Sequence, residues 1–162
     1  MARFPMDYCV SQTSPGRMVR RLAKLATAHV ESQLEMRLAA LDLSFTQWIA
    51  LKVLHDGVVN TAGGLARELG ITTGATTRLI DTLEDHGLLL RDRGTGDRRV
   101  VKLMPTDQGR AIAMDVMPHV VGAWSDIFED VSQDGMDAFV KTLAKLFATA
   151  ERLAYPAQED EA

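Results

Sequence analysis

Leu65-Ala66-Arg67-Glu68-Leu69-Gly70-Ile71-Thr72-Thr73-Gly74-Ala75-Thr76-Thr77-Arg78-Leu79-Ile80-Asp81-Thr82-Leu83-Glu84-Asp85-His86-Gly87 decides how this chain folds. The first part reads as a short helix closed by Gly70, where a left-handed cap costs least. Thr72 stands at an N-cap position, its hydroxyl placed to accept from the free amides of the next turn. A second helix then runs to His86 and stops at Gly87. Its apolar side is Leu79, Ile80 and Leu83, with Thr76 one turn earlier, the spacing of a helix with one buried face. The other side carries Thr73, Ala75, Thr77, Arg78 and Asp81. It is small, hydroxylated and basic near its start, which suits a helix N-terminus entering a DNA major groove.

The residues that follow read as a hairpin. Leu88–Arg93 and Val100–Met104 are two short β-prone runs. Gly94-Thr95-Gly96-Asp97-Arg98-Arg99 joins them, with glycines supplying the turn and arginines placing charge at the tip. Such a tip would meet phosphates or a narrow minor groove. The net charge of the 162 residues is −4, unfavourable for a polyanion partner. Its distribution is not: residues 61–104 hold seven bases against six acids, and Arg91, Arg93, Arg98 and Arg99 gather at the hairpin.

Working outward, 162 residues make one domain, or one subunit whose core a partner completes. Apolar and charged contents of 46% and 25% are ordinary globular values. No apolar run approaches the ~18 residues of a membrane span, and residues 1–16 lack the continuous apolar segment of a secretory signal. A single cysteine, Cys9, rules out an internal disulfide framework and fits a reducing cytoplasm.

Residues 1–16 form an N-terminal arm without clear period, up to the helix-start signal Ser14-Pro15. A long helix is expected to about Leu41, striped by Val19, Leu22, Ala26, Val30, Leu34, Leu38 and Leu41. Asp42-Leu43-Ser44 ends it, and a second helix runs from Thr46 to Asp56-Gly57, with Trp48, Leu51 and Leu54 facing the recognition unit. Val58-Val59-Asn60 reads as a short third strand, and Thr61 as the next N-cap. Beyond the hairpin, Thr106 or Asp107 caps a helix toward Val131 that Pro118 should kink. Ser132 starts a last helix to Leu153, with Met136, Phe139, Val140, Leu143, Leu146, Phe147, Ala150 and Leu153 on one broad face. Residues 155–162 form an acidic tail. The first and last helices are too apolar for the body available to cover them, which points to a homodimer in which both chain ends interleave.

These residues resemble the MarR (multiple-antibiotic-resistance regulator) family of winged-helix regulators. Leu65–Glu84 is similar to that family's recognition unit, Asp97-Arg98-Arg99 to its wing signature, and Thr106–Arg110 sits where its next helix begins. The resemblance extends from about Arg17 to about Leu153. Ala75-Thr76 departs from the Thr-Val often found there, and Pro105 replaces a common Leu. The resemblance implies a mainly α fold with a small β wing. Residues 17–154 would be one subunit, with dimerisation helices at 17–42 and 106–154 around a winged helix-turn-helix lobe at 44–104. It implies a homodimeric, cytoplasmic transcriptional regulator, a repressor, reading a pseudo-palindromic double-stranded operator. Half-sites would lie about one turn, roughly 10 base pairs, apart.

Thr72, Thr73, Gly74, Thr77 and Arg78 are the expected recognition-helix contacts, and Arg91, Arg93, Arg98 and Arg99 the expected wing contacts. Asp97 is read as orienting an arginine, since a carboxylate beside phosphate is repelled. The plainer alternatives are a solvated helix face and a charged, soluble hairpin tip. The family resemblance further implies a small aromatic or anionic effector, for which Arg17, Arg21, His29 and Trp48 offer charge and an aromatic wall, against core packing as the plainer role. Some members of the family sense peroxide through a cysteine within the first helix. Arg20 lies at that place here, so Cys9 reads as an ordinary thiol.

His29, His55, His86 and His119 have no i, i+3 or i, i+4 pairing, so no metal or cofactor is expected. No nucleophile–base pair, P-loop or dinucleotide fingerprint appears, so an enzyme is not expected. A second reading is a winged-helix module that binds a protein partner and not DNA. Alanine at both Arg98 and Arg99 separates the two, because it would abolish DNA binding and spare an apolar protein interface.

Overall fold

A computed structural model describes residues 14–92 and 101–155. The arm to residue 13 with Cys9, the hairpin residues Arg93, Asp97, Arg98 and Arg99, and the tail from 156 lie outside the described residues. The first helix, α1 (Pro15–Ala40), begins at Pro15, where the helix-start signal put it, so the bound of the arm at residue 16 is two residues too late. Ser14 was expected to cap it, but its side chain makes no cap bond. Its carbonyl instead accepts from the Met18 amide at 3.0 Å, and Pro15 at the first position removes one of the donors a cap would serve. The expected stripe divides. Ala26, Val30, Leu34 and Leu38 are buried, whereas Val19 and Leu22 are 57% and 44% exposed.

Asp42 turns the chain with φ 53°, the left-handed region that Asp tolerates better than most side chains. Helix α2 (Phe45–His55) starts one residue before the expected Thr46, in a capping box: Ser44 Oγ accepts from the Gln47 amide at 3.2 Å, and Gln47 Oε1 accepts from the Ser44 amide at 2.7 Å. It is the hub, packing on α1, on the following helix, on the second strand and on the helix after it. Trp48, Ala50, Leu51 and Leu54 are its buried side. Helix α3 (Ala62–Leu69) is capped by Thr61, which accepts from the Gly64 amide at 3.1 Å, and ends at Gly70 with φ 64°. Helix α4 (Thr73–Asp85) buries Thr76, Leu79, Ile80 and Leu83, the four residues whose spacing predicted that face.

Strands β1 (Leu89–Asp92) and β2 (Lys102–Pro105) pair antiparallel, Leu89 with Pro105 and Asp92 with Lys102. The expected third strand at Val58-Val59-Asn60 is not formed. The contact shrinks to a bridge between Thr61 and Lys102, with the Leu103 amide donating to the Asn60 carbonyl at 2.8 Å. Thr61 already begins a helix, leaving no length for a strand.

Helix α5 (Asp107–Asp115) is capped by Thr106, which accepts from the Gly109 amide at 3.0 Å. The sequence grouped it with the dimerisation helices, yet it packs closely on α2, and Gly109 explains how. A Cβ there would lie 2.1 Å from the Leu88 carbonyl oxygen and 3.5 Å from a Leu51 methyl. Pro118 was expected to kink one long helix. Instead the helix stops at Val116 and α6 (Met117–Ile127) begins, with Pro118 in its first turn, where a missing amide costs little. Arg37 of α1 pairs with Asp115 at the end of α5, Nε to Oδ2 at 3.1 Å.

Two compact units emerge, residues 1–123 and 124–162. In the first, Val30, Leu34, Leu38, Trp48, Leu51, Leu65, Ile80, Leu83, Leu88, Leu103 and Val116 join one apolar core. In the second, Trp124, Phe128 and Phe139 form a ring ladder, with the last pair edge-on at 5.5 Å. Helix α7 (Gln133–Ala154) is capped by Ser132 and has no fully buried residue.

Candidate nucleic-acid interface

The start of α4 is built to be presented. Thr72 Oγ1 accepts from the Ala75 amide at 3.3 Å, holding the first turn open at its tip. Thr76 turns inward, 1% exposed, and its hydroxyl donates to the Thr72 carbonyl at 3.0 Å. That leaves Thr72, Thr73, Gly74, Thr77 and Arg78 exposed together around the helix N-terminus, as the sequence predicted. Gly74 has nothing within 4 Å of where a Cβ would stand, so neither clash nor strain demands glycine there. Thr77 donates its hydroxyl to the Thr73 carbonyl at 3.0 Å. Its proton being committed, Thr77 can only accept from an incoming group.

Arg91 departs from expectation. The sequence had it facing phosphate, but its side chain turns back onto α4. The guanidinium reaches Asp81 Oδ1 at 2.7 Å and pairs with Glu84 through its other terminal nitrogen. The Arg91 amide also donates to Glu84 Oε1 at 3.2 Å. Arg91 and Glu84 side chains are each 28% exposed. Strand alternation accounts for this: Leu89 is buried, and Arg91, two residues on, shares its face. The same alternation, applied to the sequence, would have put Arg91 on the face of Leu89 but would not have named its partners. Asp81 and Glu84 lie one helical turn apart on α4, and the sequence names no partner for either. Lys102, on β2 opposite Asp92, is exposed and was not singled out.

The expected effector residues do not converge. Arg17 and Arg21 line an open cleft of about 400 Å³ together with Arg20 and Lys24, all on α1. His29 is half-buried further along α1. Trp48 is a correction: it is 4% exposed, stacked on Phe45 at 6.0 Å, and belongs to the core. Its period placed it on the buried side of α2, so core packing outweighs a pocket role. Its Nε1 is buried and has no hydrogen-bond partner among the described residues. A separate cleft of about 490 Å³ lies between α1 and α2, with Leu38, Leu43 and Phe45 as its apolar wall and Glu31, Glu35 and Ser44 among its polar groups. Among the described residues no three His, Cys, Asp or Glu side chains gather as a metal site. No helix there is long and apolar enough to cross a membrane.

A helix pair turned by a left-handed glycine, a second helix exposed at its N-terminus and a strand pair bound to its side define a winged helix-turn-helix protein. Residues 43–101 match the model of the MarR family. The fold is similar over most of the chain to solved MarR-family structures. Escherichia coli MarR without ligand is 22% identical, with TM-score 0.68, over 82% of this chain and 96% of that one. Mycobacterium tuberculosis Rv2887 in complex with DNA is 22% identical, with TM-score 0.65, over 82% and 96%. The same mycobacterial protein is also solved with salicylic acid. Bordetella bronchiseptica BpsR, whose DNA binding is regulated by 6-hydroxynicotinic acid, is 21% identical, with TM-score 0.66, over 81% and 96%.

Proposed function

We propose that this protein is a sequence-specific transcriptional regulator, a repressor, that works by binding and not by catalysis. A homodimer places two α4 helices in successive major grooves of a pseudo-palindromic operator, and the hairpins bearing Arg93, Arg98 and Arg99 reach the flanking DNA. One observation carries the reading: Thr72, Thr73, Gly74, Thr77 and Arg78 crowd one exposed helix end while Thr76, Leu79, Ile80 and Leu83 anchor the opposite face. A similar protein solved in complex with DNA supports it. Arg78 suits guanine N7 and O6 or a phosphate, and Thr77, as an acceptor, suits an amino group of adenine or cytosine.

The dimer is proposed from exposed apolar side chains at both chain ends: Met18, Val19, Leu22 and Leu25 on α1, and Val140, Leu143, Leu146 and Phe147 on α7. Relatives with salicylic and 6-hydroxynicotinic acids support a small aromatic, anionic effector. Among the described residues two clefts are candidates for such a ligand. The apolar wall by Phe45 suits its ring, but Glu31 and Glu35 beside it repel a carboxylate, whereas Arg17, Arg20, Arg21 and Lys24 attract one. The effector would release DNA by binding better to a dimer with altered lobe spacing. The reading places the protein in the cytoplasm, with its DNA.

Fluorescence anisotropy tests the function. The full-length protein is titrated onto duplex DNA from directly upstream of its own coding region, against a scrambled competitor. Tight binding that the scrambled duplex does not compete supports the regulator. If neither this duplex nor any selected from random sequence is bound at low salt, the reading fails and a protein-binding module takes its place.

A further inference from the structure

The Arg91 side chain is turned back onto α4 and held there by two acids. Two carboxylates from α4, Asp81 and Glu84, take opposite ends of its guanidinium, and Glu84 also takes its backbone amide. Three polar links therefore join the C-terminal half of α4 to β1, while the N-terminal half of α4 is the presented end. From β1 the chain enters residues 93–100 at Asp92, and it returns on β2 at Lys102, the partner of Asp92.

We propose that Arg91 is a positioning residue for DNA recognition: with Asp81 and Glu84 it latches the strand pair to the recognition helix, so that helix and wing approach DNA in one register. This rests on the DNA-binding reading above. Two physical points separate it from an ordinary surface salt bridge. An arginine fork reaches two carboxylates through two separate terminal nitrogens in a fixed plane, whereas a lysine would have to bring both to a single nitrogen. And a guanidinium committed to two acids releases no counterion when DNA binds, so it adds nothing to the salt dependence of binding.

The test uses the full-length protein and the variants Arg91→Gln, Arg91→Lys and Glu84→Gln, each checked for an intact thermal transition. Binding to operator and to scrambled duplex is measured across salt concentrations. The latch predicts that all three variants narrow the operator-to-scrambled affinity ratio by about tenfold, the size of one lost specific contact. It also predicts an unchanged slope of log affinity against log salt for Arg91→Gln. A phosphate contact predicts the reverse: a slope shallower by about 0.9 for Arg91→Gln, with Arg91→Lys behaving as wild type. That result, or an unaltered affinity ratio in any of the three variants, overturns the proposal. Hydrogen exchange supplies a reading without DNA, since Glu84→Gln should speed exchange of the Arg91 amide. If that amide is unaffected, the latch is wrong. If it responds but the wild-type protein binds no DNA, the latch survives as structure and its role in recognition falls with the function.

Discussion

Thr76 and Gly74 sit two residues apart on α4 and face opposite environments, so they separate stability from recognition. The Thr76 hydroxyl donates to the Thr72 carbonyl, which already accepts from the Thr76 amide at 2.9 Å. Thr76→Val would remove the donor and leave no buried group unpaired, so its cost should be small, within about 1 kcal/mol. Thr76→Ala also opens space in the core and should cost more; urea unfolding midpoints would order the two. Gly74 is the converse. With open space at its Cβ, Gly74→Ala should stabilise the helix by roughly 0.5 kcal/mol. If the α4 backbone closely approaches DNA at Gly74, the same variant binds operator more weakly. A variant that melts higher yet binds operator as tightly as wild type would remove Gly74 from the contact surface. Thr72→Ala loses an N-cap and should cost about 1 kcal/mol.

At the level of elements, the junction of β1, β2 and α5 depends on a glycine whose importance no periodicity announces. Gly109→Ala would drive a methyl onto the Leu88 carbonyl, a backbone atom that cannot swing aside. A loss of about 3 kcal/mol in urea unfolding is expected, the upper end of overpacking costs. A loss below 1 kcal/mol would mean that α5 can shift outward freely. The local signals in the sequence served well where one residue acts on its own turn. Gly70, Thr61, Thr72, Thr106 and Ser132 all cap where their chemistry predicts. They served poorly where two elements compete for the same residues. Val58–Asn60 has strand character, but Thr61 starts a helix at once and only a bridge remains. Pro118 signals a break in either case; a kink and a new helix differ only in what the following turn packs against.

Over the whole molecule, the apolar side chains exposed on α1 and on α7 are the observation from which the dimer is proposed. Leu143→Glu with Leu146→Glu should convert a dimer to a monomer, read by sedimentation equilibrium. A wild-type protein that sediments as a monomer would withdraw the dimer. The net charge of −4 sets how the molecule meets DNA. On the proposed reading the DNA is met by the basic start of α4 and the arginine-rich hairpin sequence, so binding should weaken steeply with salt. A dimer making 6–10 phosphate contacts would lose roughly 10³–10⁵ in affinity between 50 and 200 mM salt. A nearly flat dependence would mean that few phosphates are contacted.

The sequence alone determined the helix-turn-helix, its caps, its buried face and the exposed group from Thr72 to Arg78, because helical period and capping are properties of neighbours along the chain. It also marked the two chain ends as too apolar to stand alone. The tertiary structure alone decided the partners of Arg91 and the need for glycine at position 109. Each depends on what lies across from the residue: two carboxylates on α4, and the Leu88 carbonyl. Charge and ring character are written in a residue's name. The partner that uses them is set by strand alternation and close packing between elements far apart in sequence.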